Sequence, residues 1–310
     1  MSSAAGEPRD PRPSSTNARP YTIICWGELL WDLFPDGPRL GGAAANVAYH
    51  VAQLGDRARL VSRVGHDELG ARALSALQAA SVDVELVQRD TDCTTGTVRV
   101  ELSDGEPRFT IATQAAWDRI AWSDALESAV GAADAVVYGT LAQRTPLGTE
   151  VLARALERTR PGAIRVCDLN VRLPFATPDS VERAVSWATA VKLNEHEAAL
   201  IAKLFGASDP IEWLLRRGVE LVALTLGAQG SVLYSRDTRL EHRGFEASGG
   251  DRVGAGDAFS AVIARELVRR TPLGELVERA NRYASFVASQ NGAMPEVSAA
   301  LREWMMAKDP

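Results

Sequence analysis

The segment Asp251-Arg-Val-Gly-Ala-Gly-Asp-Ala-Phe259 sets two glycines and a carboxylate at what reads as the start of an apolar helix. Gly254 and Gly256 let the backbone approach a ligand closely, and the first amides of a helix have no intrahelical partner. Such a turn suits phosphate oxygens. Asp257 would repel a resident phosphate, so its useful chemistry there is to take the proton from an attacking hydroxyl. The same residues also read as a plain helix start, with Asp257 the N-terminal carboxylate that a helix dipole favours. A dinucleotide fingerprint does not fit, because that glycine turn follows the first strand of its fold and this one lies near the chain's end.

Four other segments carry groups of interest. Gly41-Gly-Ala-Ala-Ala-Asn46 precedes a helical pattern, and its small side chains suit either tight helix packing or close approach of a ligand to Gly42 and Asn46. Asp32, a few residues past the first strand, is an ordinary turn aspartate or a group at the carboxyl end of a sheet. Asn194-Glu-His-Glu197 has the spacing of a capping box, and its oxygens would also suit a hydrated magnesium ion. Thr225-Leu-Gly-Ala-Gln-Gly230 offers two glycines and a hydroxyl, for a nucleotide phosphate or only for a turn. No Gly-x-x-x-x-Gly-Lys-Ser/Thr loop is present, and the only lysines are Lys192, Lys203 and Lys308. Arginines and backbone amides are therefore expected to neutralise any bound phosphate.

The elements that must position these groups follow from the hydrophobic pattern. Apolar runs of strand length at Tyr21 to Trp26, Ala58 to Val64, Ala135 to Tyr138, Ile164 to Cys167, Ala190 to Leu193 and Leu221 to Thr225 alternate with amphipathic stretches such as Ala43 to Leu54 and Glu68 to Ala80. That alternation predicts an α/β fold, doubly wound, with a mainly parallel sheet flanked by helices. Residues 33–40 and 95–112 break it with hairpin patterns around Asp36-Gly37 and Asp104-Gly105. They read either as a small β-sheet lid over the carboxyl edge of the main sheet or as decoration of that sheet's edge. Beyond Gly254 the pattern is helical.

The chain has 310 residues, 46% of them hydrophobic, enough for one large core. We read residues 1–20, rich in Pro, Ser and Arg, as a disordered tail and residues 21–310 as one domain. A net charge of −6 argues against nucleic acid held by general electrostatic attraction. Cys25, Cys93 and Cys167 are far apart and, like the four scattered histidines, lack metal-ligand spacing. A reducing, cytoplasmic compartment is expected, with neither a signal peptide nor a membrane span.

Taken together, GGAAANVAYHVAQLGDRARLVSRVGHDELG over residues 41–70, KLNEHE, TLGAQGS and DRVGAGDAF resemble the ribokinase-like carbohydrate kinases, the PfkB family. The resemblance runs from about Thr22 to Pro295 and implies an ATP-dependent kinase for a small sugar. It implies Asp257 as catalytic base and the amides of Gly254, Ala255 and Gly256 as the anion hole for the transferring phosphoryl group. Asp32, Gly42 and Asn46 match sugar-gripping residues, while Thr225, Gly227 and Gly230 fall in the ATP site and Asn281 at the adenine pocket. Asn194 and Glu197 correspond to the magnesium element. A potassium ion is implied beside Asp251, where Arg252 departs from the family's usual threonine.

Gly27 to Asp32, Tyr138 to Arg144 and Asp168-Leu-Asn-Val-Arg172 resemble bacterial fructokinase-like members, so fructose is the expected substrate. A 2-keto-3-deoxygluconate kinase would want a carboxylate-binding arginine, for which Arg99 and Arg172 are candidates. A nucleoside kinase would want an aromatic platform such as Trp117 or Phe109, and a ribokinase is a further alternative. An inactive sugar sensor or assembly protein is the reading from another class. Exposed apolar residues on the lid would pair two subunits into a homodimer.

Overall fold

A computed structural model describes residues 20–103 and 106–307, with the side chains of residues 100–109 outside the description. Apart from Pro20, the expected tail lies outside the described residues, and so does the Asp104-Gly105 turn. The strands are β1 (Thr22–Trp26), β2 (Leu30–Phe34), β3 (Gly37–Gly41), β4 (Arg57–Gly65), β5 (Val87–Asp90), β6 (Gly96–Ser103), β7 (Glu106–Ile111), β8 (Ala135–Gly139), β9 (Ile164–Asp168), β10 (Ala190–Asn194), β11 (Leu221–Thr225), β12 (Ser231–Tyr234) and β13 (Arg239–His242). The helices are α1 (Ala43–Gln53), α2 (Glu68–Ala79), α3 (Asp124–Ala132), α4 (Pro146–Glu157), α5 (Pro178–Trp187), α6 (Glu195–Phe205), α7 (Pro210–Leu215), α8 (Ala255–Arg269), α9 (Leu273–Ala288) and α10 (Ala299–Met306).

Nine strands form the main sheet in the order β13-β12-β11-β10-β9-β8-β1-β4-β5. All neighbours from β11 to β5 run parallel, while β12 and β13 add an antiparallel edge that the sequence reading did not anticipate. Both faces are covered, because successive residues of a strand point to opposite sides. In β1, Ile23 and Cys25 enter one core with α1, α8 and α9, whereas Ile24 and Trp26 enter the other with α3, α4 and α5. From β1 the chain builds outward to β4 and β5, then returns to β8 and builds the other way. The switch point lies between β1 and β8, and ligands of open α/β sheets bind outside the carboxyl ends of strands at such a point.

The lid is a separate four-stranded sheet, β3-β2-β6-β7, so the edge-decoration reading falls away. Its two hairpins join through a parallel pairing of β2 with β6. A hydrogen-bonded hinge ties it to the main body: Thr95 Oγ1 accepts from Gly65 N at 3.0 Å and donates to Asp67 Oδ1 at 2.6 Å. Asp67 at the same time caps α2 through Gly70 N.

Candidate active site

Gly254 caps α8 in the left-handed region at φ 80°, and a Cβ there would sit 2.6 Å from Ala293 Cα. Glycine is therefore required on two counts, conformation and space. The first bond back into the helix runs from Ala258 N to Gly254 O, which leaves the amides of Gly256 and Asp257 outside the helical ladder. Asp257 accepts a 2.7 Å hydrogen bond from Asn46 Nδ2, and Asn46 Oδ1 is buried without a partner. Burial pushes the Asp257 carboxyl up to about 7, the Asp168 and Glu28 charges push the same way, and Asn46 and Lys192 oppose them.

A narrow cleft at the switch point is lined by Glu28, Ala43, Gly139, Leu141, Asp168 and Asn170. Gly42, at φ 102°, caps α1, and a Cβ on it would run into the Glu28 carbonyl. The Glu28 carboxylate accepts from Ala43 N at 2.9 Å, a site residue that sequence reasoning missed. Asp32 projects from β2 over Gly41, and burial raises its carboxyl to about 6 against the opposing charge of Arg172. The same arginine stabilises the Glu28 carboxylate. The structure thus gathers Asp32, Gly42 and Arg172 about Glu28, and sets Asn46 and Glu28 beside Asp257.

Arg99 does not join them. Asp32 is in register with Val98 and Leu33 with Arg99, so Arg99 projects from the opposite face of the lid and is exposed. Trp117 is no platform either, being buried against Gly96 with the Arg144 guanidinium 3.9 Å over its ring. Phe109 lies among the undescribed side chains. Leu33 and Leu40 are partly buried against the chain's own core, and the exposed large apolar residues among those described, Leu147, Leu173, Val253 and Met306, are all off the lid. The argument for pairing two subunits through exposed apolar lid residues therefore does not hold among the described side chains.

Across the glycine turn lies a cavity of about 750 Å³, lined among others by Asn194, Thr225, Gly227, Gly230, Ala255, Gly256 and Asn281. Asn194, Thr225, Gly227, Gly230, Gly256 and Asn281, all expected at a nucleotide site, therefore face one volume large enough for a nucleoside triphosphate, while Gly254 does not line it. The unanticipated β13 carries the chain on through Arg243 to Ala247, which closes another wall. Asn281 spends its amide hydrogens on Ser231 Oγ and Val277 O, both at 2.7 Å, so packing fixes its orientation.

Asn194 and Glu197 form the capping box of α6, and Glu197 Oε1 also accepts from Val171 N at 2.8 Å. Those bonds engage both carboxylate oxygens of a buried side chain, and the described residues hold no group of three or more His, Cys, Asp or Glu able to bind a metal. The donors fit a magnesium ion that stays with phosphate oxygens and water, not one caged by protein. Asp251 Oδ1 accepts from Val253 N and Oδ2 from Gly292 N, which ties the loop ahead of α8 to the segment after α9.

The largest omission of the sequence reading is Lys192. Its ammonium lies 3.0 Å from Asp168 Oδ1 and 2.9 Å from where a Cβ on Gly256 would stand, directly behind the glycine turn. Arg243 and Arg252 are the charged bases that line the triphosphate cavity itself, in keeping with the expectation that arginines and amides meet the phosphates.

A mainly parallel sheet with a triphosphate-sized cavity beside a glycine turn and a second cleft at its switch point lined by Glu28 and Asp168 has the architecture of a small-molecule kinase. The pattern of the pfkB family carbohydrate kinases matches residues 37–300, and the chain belongs to that family. It is an ATP-dependent carbohydrate kinase. Probable fructokinase-6, chloroplastic, of Arabidopsis thaliana is 28% identical over 313 residues, covering 91% of this chain and 80% of that protein. The crystal structure of the Vibrio cholerae O395 fructokinase bound to fructose, ADP and calcium superposes with a TM-score of 0.78 at 27% identity, over 92% of this chain and 99% of that one. The ATP-bound fructokinase of Xylella fastidiosa shares the fold at a TM-score of 0.81 and 24% identity, over 92% and 98% of the two chains. Among the described residues, no helix is long and apolar enough to cross a membrane.

Proposed function

We propose that the chain transfers the γ-phosphoryl group of ATP to a hydroxyl of fructose, with Asp257 as the base. The carrying observation is the bond from Asn46 Nδ2 to Asp257 Oδ2, which leaves Asn46 Oδ1 buried and unpartnered beside the carboxylate. An alcohol seated there donates to Asp257 and satisfies the neighbouring amide oxygen through a second hydroxyl. The hydroxyl oxygen attacks the γ-phosphorus, its proton passes to Asp257, and the bond to the bridging oxygen breaks to release ADP. The amides of Gly254, Ala255 and Gly256 meet the charge that grows on the phosphoryl oxygens. Asn194 and Glu197 would stand near a magnesium ion that would supply charge neutralisation at the phosphates, and the loop that Asp251 ties would hold a potassium ion.

Two features support a neutral sugar over a sugar acid or a nucleoside. Arg99, one of the two arginines nominated for a sugar acid's carboxylate, lies on the face of the lid opposite Asp32. Of the two aromatic side chains nominated for stacking, Trp117 is buried and Phe109 lies outside the described side chains. The relatives named fructokinase support fructose in particular. The three free cysteines are in keeping with a reducing compartment such as the cytoplasm.

ADP release measured across fructose, ribose, 2-keto-3-deoxygluconate and adenosine should be highest with fructose. Asp257→Asn should lower kcat by about 10²- to 10⁴-fold with fructose. Turnover confined to 2-keto-3-deoxygluconate, or an Asp257→Asn enzyme within tenfold of wild type, overturns the proposal.

A further inference from the structure

A buried charged array behind the anion hole has no part in the mechanism above. Lys192 on β10 is in register with Asp168 at the end of β9, and its Nζ lies 3.0 and 3.3 Å from the two Asp168 oxygens. Asp168 Oδ2 also accepts from Ser260 Oγ at 2.7 Å. Ser260 lies three residues beyond Asp257 on α8, and the two share one face of the helix. Asp168, Lys192 and Ser260 are 4%, 6% and 0% exposed.

Burying an ion pair is expensive, and an apolar pair of similar volume is often as stable. Placement distinguishes this one. Its ammonium stands 2.9 Å from the Cβ position of Gly256, a residue that lines the triphosphate cavity and directly precedes Asp257. Resting on the assignment of Asp257 as base, we propose that Asp168, Lys192 and Ser260 form a positioning array in which Asp168 fixes both Lys192 and the N-terminal turn of α8, so that the lysine's charge is held behind Gly256 next to the base.

The groups that act on Asp257 come from four segments: Asp168 from β9, Lys192 from β10, Glu28 from the segment after β1 and Asn46 from α1. Lys192 favours the carboxylate, whereas Asp168 and Glu28 favour the acid. Removing the lysine and removing the aspartate therefore have opposite consequences for the proton on Asp257. A purely structural pair gives no such opposition.

The test is the pH profile of kcat/KM for fructose at saturating ATP, in the full-length enzyme. Lys192→Met should move the acidic limb to higher pH by about one unit, a tenfold change in proton affinity, and lower kcat far more than it raises the KM for ATP. Asp168→Asn should move the limb to lower pH. Lys192→Arg, which keeps the charge, should leave the limb near its wild-type position even if packing costs turnover, and it serves as the probe if Lys192→Met fails to fold. Limbs that stay in place, or move the same way in Lys192→Met and Asp168→Asn, overturn the array. An active Asp257→Asn enzyme would instead remove the assignment of the base, so the two failures are separable.

Discussion

The two ends of helix α8 carry buried charge in opposite states of balance. At its C-terminal end, Asp56, Glu266 and Glu275 face Arg265, Arg269 and Arg279, three acids against three bases. Thr271 Oγ1 adds a 2.6 Å bond to Glu266, and Arg265 Nη1 also donates to Met305 O at 3.0 Å, so the cluster pins α10 to the body. At the N-terminal end, Asp168, Glu197 and Asp257 share one buried cation, Lys192, three acids against one base. Glu28, Glu197 and Asp257 are all raised there, with burial the leading cause in each. Paired charges of equal number hold a structure together, whereas a surplus of carboxylates raises proton affinity where a proton must be received.

Breaking the balanced end should have the larger effect on stability. Glu266→Gln leaves Arg265 and Arg279 short of a fully buried partner, and such a break costs about 3–5 kcal/mol. Denaturant unfolding should show that loss, while the enzyme that remains folded keeps its kcat. A cost below about 1 kcal/mol would place this cluster with surface ion pairs, and the contrast between the helix ends would fail.

The unbalanced end should respond in the other direction. Because the folded-state pKa of Asp257 is raised from 3.8 to about 7, the folded chain binds its proton more tightly than the unfolded chain does. This contribution to stability is fully present below the unfolded value and is lost as pH rises toward 7. Asp257→Asn removes the penalty, so at pH 8 it should be about 1–3 kcal/mol more stable than wild type. That gain should shrink toward zero as pH falls to 4. A variant that is inactive yet no more stable at pH 8 would show that the N-terminal end carries no electrostatic strain.

What the sequence discloses follows the same division. The runs Ala135 to Tyr138 and Leu221 to Thr225 are strands in the structure because both faces are buried, and burial leaves an apolar signature. Gly254 is legible because only glycine tolerates both its φ and the approach of Ala293. Lys192 and Asp168 left a signal too, a charged residue inside the apolar strands AVKLN and IRVCD. Their pairing across 24 residues is set by strand register, which pattern alone does not give. Strands β12 and β13 were missed for a related reason: each has four residues, and the polar edge strand RLEH carries no apolar run.

Arg99 is the sharpest case of register deciding function. A guanidinium in the next hairpin along the chain from that of Asp32 is a reasonable partner for an acidic sugar until β2 and β6 are aligned. The parallel pairing sets Asp32 beside Val98 and puts Arg99 with Leu33 on the other face of the lid. Alternation then separates the two side chains by the thickness of the sheet, whatever substrate is bound. Arg99→Ala should therefore leave the fructose KM and kcat within about twofold of wild type, the range of an ordinary surface substitution. A tenfold rise in the sugar KM would mean that β6 pairs one residue out of this register in the working enzyme, since a slip of one turns every side chain of the strand to the opposite face.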